Sequence, residues 1–200
     1  LNAGTGFGRI WPDTLQNTGV GRNYGLELTV ERFFAGGFYF MTTASLFDAK
    51  YQGSDGEWRN TVFNGRYAFN VLAAKEIKLG KNNRFNVGIK YTTVGGRWFG
   101  AQVDETETLR TGEIVFVDET NNTVQYRAYE RFDLKLGYKW NNPNTAWEFG
   151  LDLSNLTSNK NILTLTYVPG LDDPNTAVNE SVREEYQLGL FPVFYFRCDF

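Results

Sequence analysis

The chain has 200 residues, 16% of them aromatic, with 21 glycines, a net charge of −3 and no histidine. Without histidine it lacks the commonest general base, the commonest metal ligand and every Ser–His or Cys–His nucleophile pair, and its one cysteine allows neither an internal disulfide nor a cysteine-based metal site. The mildly acidic balance does not suggest a nucleic-acid partner, and no run of ~18 apolar residues exists to form a transmembrane helix.

Alternation of apolar and polar residues dominates what remains, and helical periodicity is hard to find. Residues 1–20 are rich in Gly and Thr and read as one strand plus a loop; with no initiator Met, the chain reads as a processed or truncated piece. Tyr24, Leu26, Leu28 and Val30 alternate with Gly25, Glu27, Thr29 and Glu31. Ala35-Gly36-Gly37 predicts a tight turn into a strand from Phe38 to Tyr51, and Gln52 to Val62 is a polar loop. A strand is predicted from Phe63 to Leu79, then a turn at Gly80–Asn83, then a strand through Phe85, Val87, Ile89 and Tyr91. Gly95 to about Ala128 is a long polar stretch, with a local hairpin predicted between Glu113–Val117 and Thr123–Arg127. Phe132 to Trp140 and Trp147 to Leu153 alternate on either side of the turn Asn141-Asn142-Pro143-Asn144. A polar loop from about Pro169 to Arg183 leads to a final strand, Glu185 to Phe200, in which Pro192 argues for an edge or a bulge. The expectation is all-β: an antiparallel meander of about 7–8 strands within a single domain portion.

Alternation leaves two architectures open. A lipocalin-like barrel or a sandwich turns the apolar face inward; a membrane barrel turns it outward. Three features favour the membrane barrel. The tight turns Ala35–Gly37, Gly80–Asn83 and Asn141–Thr145 alternate with the long loops Gln52–Val62, Gly95–Ala128 and Pro169–Arg183, so one end of a meander carries only turns and the other only loops. Aromatics such as Phe38, Phe149 and Phe196 at one end, and Tyr24, Tyr67 and Phe132 at the other, flank an aliphatic band. That band, Leu28, Val71, Val87, Ile89, Leu134, Leu136, Leu151, Leu188 and Leu190, is predicted to face lipid. The opposite face carries Glu27, Arg66, Lys90, Asp133, Lys135, Glu148 and Asp152, which require water or polar partners.

Candidate chemistry is sparse. Gly4-Thr5-Gly6-Phe7-Gly8 lacks the spacing of a dinucleotide loop. Asp104, Glu105 and Glu107, with Glu113, Asp118 and Glu119, could hold a hard cation but read better as a solvated loop; Asp172-Asp173 reads as turn chemistry. Glu148 and Asp152 share a strand face roughly 13 Å apart, too far for an acid–base pair, and are expected to balance Lys135 and Lys139. Asn121-Asn122-Thr123, Asn155-Leu156-Thr157 and Asn179-Glu180-Ser181 match the short glycosylation pattern and are set aside. Cys198 shares parity with Phe196 and Phe200 and reads as a small apolar residue facing lipid.

Several segments together resemble the barrel of TonB-dependent outer-membrane receptors of Bacteroidetes type: Gly21–Phe34, Glu57–Gly65, Phe69–Glu76, Asn155–Asn161 and the ending Leu188–Phe200. The resemblance implies the C-terminal portion of a 22-strand transmembrane barrel in the outer membrane, whose plug and TonB box would lie on an N-terminal part not seen in these residues. It implies outer-membrane lipid, the TonB complex, the barrel-assembly machinery and a surface lipoprotein as partners, with no cofactor and no enzymatic activity. The terminal aromatic Phe200, with Phe196 and Cys198 at alternate positions, looks like the assembly signal, although Val193 stands where the family usually has glycine. Arg97, Trp98, Phe99 and Tyr126 are the residues chosen as substrate-contacting, because aromatics beside polar groups suit sugars, peptides or metal chelates. A small self-contained outer-membrane barrel and a soluble β-sandwich or lipocalin-like binding module stand as alternatives.

Overall fold

The computed structural model describes residues 18–169 and 181–200. Most of the segment read as a first strand, the Gly4–Gly8 run, Asp172-Asp173 and most of Asn179–Ser181 lie outside those residues. One antiparallel sheet dominates, built from β1 (Val20–Ala35), β2 (Phe38–Gln52), β3 (Trp58–Asn60), β4 (Tyr67–Leu79) and β5 (Asn83–Val94). It continues through β8 (Tyr129–Asn141), β9 (Ala146–Ser154) and β12 (Phe191–Asp199) in the order β1-β2-β4-β5-β8-β9-β12, with β3 added beside β2. Two short ladders stand apart: β6 (Trp98–Phe99) with β7 (Val124–Gln125), and β10 (Ile162–Tyr167) with β11 (Val182–Tyr186).

Every neighbour in the main path is also a neighbour in sequence, apart from the inserted short ladders, so the meander expectation stands. The hinges are tight where sequence supplies positive φ. Gly36 (φ 63°) and Gly37 (φ 74°) turn β1 into β2 as a two-residue hairpin loop requires, and a Cβ on Gly37 would meet the Glu76 carbonyl oxygen at 2.7 Å. Turns at β1–β2, β4–β5 and β8–β9 lie at one end; the longer connections lie at the other.

Register turns alternation into continuous rows, because residues directly opposite share a face. Phe40, Ala73, Ile89, Leu134, Leu153 and Pro192 form one row across six strands. Val87, Leu136, Leu151 and Phe194 form the next, and Ile77, Phe85, Tyr138, Phe149 and Phe196 an aromatic row nearer the tight turns. In that last row Phe149 and Phe196 pack with ring centroids 5.0 Å apart. No hydrophobic residue is buried among the described residues, so no second layer formed by those residues covers this face.

The other face is polar. Lys135 pairs with Asp152 at 3.0 Å, and Lys139 stands opposite Glu148. Asn86, Gly137, Gly150 and Tyr195 form one of its rows, in which the Tyr195 ring lies over the two glycines. Its hydroxyl donates to Glu148 Oε1 at 3.0 Å, and Lys135 Nζ sits 4.7 Å from the ring centroid.

Four expectations need correction. The strand predicted from Phe63 starts at Tyr67, because Arg66 takes a positive φ (70°) that ends extended backbone. The hairpin predicted between Glu113–Val117 and Thr123–Arg127 is absent; Phe116 bridges Val103, and Val124 and Gln125 pair with Phe99 and Trp98. A helix, α1 (Glu105–Thr111), occupies the acidic run, with Asp104 as N-cap and Gly112 as a left-handed C-cap. The single final strand is two, β11 and β12, with residues 187–190 outside both. Leu188 and Leu190 therefore leave the row of Leu134 and Leu151, although Pro192 does fall in a strand at the edge of the described sheet.

Candidate functional site

At the long-loop end, the strands stop at different heights, and asparagine side chains complete their ladders. β3 and β4 are two parts of one pass along β2, separated by the turn at residues 61–66. Asn64 fills the gap from a fully buried position. Its Oδ1 accepts from the Ala49 N–H at 2.9 Å, and its Nδ2 donates to Asp48 Oδ1 and Asn60 Oδ1, both at 2.9 Å. Beyond the end of β9, Asn161 does the same for β8: it accepts from the Glu130 N–H at 2.9 Å and donates to the Glu130 carbonyl at 2.8 Å. Asn155, at φ 52°, donates from Nδ2 to the carbonyls of Asn159 (3.0 Å) and Leu188 (3.1 Å). That last contact holds Leu188 in the loop and explains the broken final strand.

The loop at 95–128 is anchored by backbone crossings that only glycine permits. A Cβ on Gly95 would lie 1.7 Å from the Gly65 carbonyl oxygen, and one on Gly96 1.7 Å from that of Tyr126. Above these crossings the β6–β7 ladder carries Phe99 beside Tyr126, with ring centroids 4.5 Å apart, and Phe116 beside Phe99 at 6.2 Å. Burial pushes the Tyr126 phenol above its usual pKa, and the Glu184 charge adds to the effect.

Two arginines tie this loop to the β10–β11 hairpin. Arg97 Nη2 donates to the carbonyls of Leu163 (2.9 Å) and Ile162 (3.3 Å). Arg127 pairs with Glu184 at 2.8 Å and lies 5.0 Å from the Tyr186 ring centroid. Between the two hairpins is a cavity of about 410 Å³, to which Arg97, Phe99, Tyr126 and Arg127 all contribute. A second, of about 630 Å³, shares Phe99 and runs under α1.

Of the four residues chosen from sequence, Arg97, Phe99 and Tyr126 therefore come together. Trp98 does not: it alternates to the other side of β6, where its indole N–H donates to the Asn64 carbonyl at 2.7 Å and Arg66 lies over its ring. Arg127 was missed, although it sits next to Tyr126 in sequence; no periodic signal marks it. The asparagine knots were missed too, and their only sequence sign is Asn at strand ends, as in Asn64-Gly65. The acidic run is spent on the helix: Asp104 Oδ1 accepts from the Glu107 N–H at 3.0 Å, and Glu107 pairs with Arg110. Among the described residues, no group of three or more acidic or cysteine side chains could hold a metal ion.

Comparison with known families matches residues 1–156 to one described as TonB dependent receptor-like, beta-barrel. The chain belongs to that family. Its members are outer-membrane receptors that act with TonB and are transporters rather than enzymes. No helix among the described residues is long and apolar enough to cross a membrane. Comparisons with curated proteins and with solved structures return no match.

In this receptor barrel the residues proposed as an assembly signal lie on or just past β12. Phe196 packs against Phe149 and Trp147, Cys198 stands opposite Trp147, and Phe200 follows the strand, almost fully exposed.

Proposed function

We propose that these residues form wall and surface loops of an outer-membrane transporter, with Leu28, Val71, Val87, Ile89, Leu134, Leu136 and Leu151 toward lipid and the charged face toward a wet lumen. The observation that carries this reading is the set of apolar rows running across the main sheet without any buried hydrophobic residue in the described chain. A soluble sandwich would bury such rows against a second sheet. In this reading the long-loop end faces outward, as in outer-membrane barrels. The cavity between the β6–β7 and β10–β11 hairpins then meets substrate, through Phe99, Tyr126 and the arginines beside them. The C-terminal residues Phe196, Cys198 and Phe200 are read by the barrel-assembly machinery, and TonB and a surface lipoprotein act on the complete receptor.

The test uses the full natural protein with Cys198 replaced by Ser and single cysteines at neighbouring positions. A bromide- or nitroxide-bearing lipid quenches a fluorophore on Leu136→Cys, while a water-soluble thiol reagent reacts with Lys135→Cys, an exposed position on the charged face. Equal quenching at both positions sinks the outward-facing assignment. For the loops, Phe99→Ala and Tyr126→Ala each lower ligand uptake several-fold with unchanged receptor level in the membrane.

A further inference from the structure

We propose that the apolar face carries, at its long-loop rim, a binding site for the phosphorylated headgroup of an anionic lipid, formed by Arg22 and Lys50 with Trp58 beside them. Arg22 and Lys50 are directly opposite each other across β1 and β2, on the face of Leu26, Leu28 and Leu46. Like charges so placed repel unless an anion sits between them. Arg22 has no ion pair within 4 Å among the described residues and feels only the charge of Asp48 from further off; its guanidinium lies 4.5 Å from the Trp58 ring centroid. Lys50 reaches Asp48 at 3.7 Å, but Asp48 also accepts from the Tyr24 hydroxyl at 3.1 Å and the Asn64 amide at 2.9 Å. One shared carboxylate leaves the pair with an excess positive charge.

Height places this charge at a membrane interface. Arg22 and Arg32 are ten residues apart on the same face of β1, with Tyr24, Leu26, Leu28 and Val30 between them. At ~3.4 Å per residue and a tilt of ~40°, that is about 26 Å along the membrane normal, against an apolar band of ~25 Å. The two arginines therefore bracket the hydrocarbon. At the tight-turn rim, Arg32 stands opposite Phe40 and lies over Phe38, while Lys75, opposite Phe38 on the next strand, donates to the Gly36 carbonyl at 3.2 Å. Among the described residues of this face, only Arg22 and Lys50 are two cations directly opposite each other, and they lie at the long-loop rim, where they meet the headgroups of the outward leaflet.

The site rests on the lipid-facing reading of the sheet, and the experiment separates the two. The full natural protein in detergent micelles is mixed with a diphosphorylated lipid or with a zwitterionic lipid, and bound lipid is counted by native mass spectrometry. The phosphorylated lipid is expected to be retained about thirtyfold better, about fivefold for each basic side chain beside an anionic surface. Arg22→Gln/Lys50→Gln loses that preference, Arg22→Lys/Lys50→Arg keeps it, and Arg32→Gln leaves it intact. Equal retention of the two lipids by the unaltered protein overturns the site while leaving the lipid-facing reading in place. Retention of neither overturns both. Inorganic phosphate binding as tightly as the phosphorylated lipid overturns it as a lipid site.

Discussion

Tyr195 gives a test in which one substitution should change sign with its background. Its ring lies across Gly150 and Gly137, and a Cβ on Gly150 would meet Tyr195 Cε1 at 1.9 Å and Cζ at 2.0 Å. Those are ring atoms on a side chain that can rotate, so Gly150→Ala evicts the ring and leaves the backbone in register. Eviction forfeits the hydrogen bond to Glu148 and the contact with Lys135. A hydrogen bond to a charged group contributes about 1.5 kcal/mol and an exposed cation–π contact about 0.5 kcal/mol. Gly→Ala itself returns about 0.5 kcal/mol by restricting the unfolded chain. The net loss is about 1.5 kcal/mol, or roughly tenfold in the unfolding equilibrium. Once Tyr195→Ala has emptied the space, the same Gly150→Ala change should stabilise by about 0.5 kcal/mol. Urea unfolding in lipid vesicles, followed by tryptophan fluorescence, measures both arms of this double-mutant cycle. A loss of the same size in the two backgrounds would refute the claim that the ring occupies the glycine groove.

Three further outcomes follow from the long-loop end. Asn64→Ala removes three hydrogen bonds at about 1 kcal/mol each and should cost roughly 3 kcal/mol locally; hydrogen exchange at the Ala49 amide then rises by about a hundredfold or more. Gly95→Ala sets a Cβ against the Gly65 backbone, which cannot rotate away, so the loop at 95–128 should become a protease target and no side-chain truncation should rescue it. Asp55 is held below the usual carboxylate range, first by the Glu57 N–H and then by Arg59. A depressed folded-state pKa means its contribution is present above the ordinary carboxylate value and fades as pH falls through the lower one; protection of the Glu57 amide should therefore persist at pH 4 and disappear only in stronger acid.

The sheet was legible because its physics is periodic. Leu134, Leu136, Tyr138 and Trp140 share a face in sequence for the reason they do in space: extended backbone has a two-residue repeat. Tight turns were legible because Gly36-Gly37 and Gly80 supply a backbone conformation other residues avoid. Loop structure was not legible, because it depends on contacts that have no period. Arg97 finds the carbonyls of residues about 65 positions away, and nothing near it in sequence marks that partner. The helix α1 is an exception: Asp104, two glutamates in the first turn, Arg110 and Gly112 are a complete set of start and stop signals. Its acidic residues nonetheless read as a solvated loop, because no apolar period runs through them to mark a packed helix face.

The broken final strand shows why alternation overreaches. Tyr186, Leu188, Leu190 and Phe194 share one parity, and a two-residue repeat cannot tell a strand from two strands with an even-length gap between them. What splits them is the demand of buried polar groups. Asn155 needs acceptors for its amide and takes the Leu188 carbonyl, while the Ser158 hydroxyl accepts from the Leu190 N–H at 3.3 Å. Tyr186 is meanwhile held on β11 opposite Ile162, with its hydroxyl on Glu184. The parity is preserved, yet β12 begins only at Phe191, opposite Ser154 at the last turn of the β9 ladder. Hydrogen-bond satisfaction at the long-loop end therefore fixes where β12 starts, and the apolar rows then fix which way it faces.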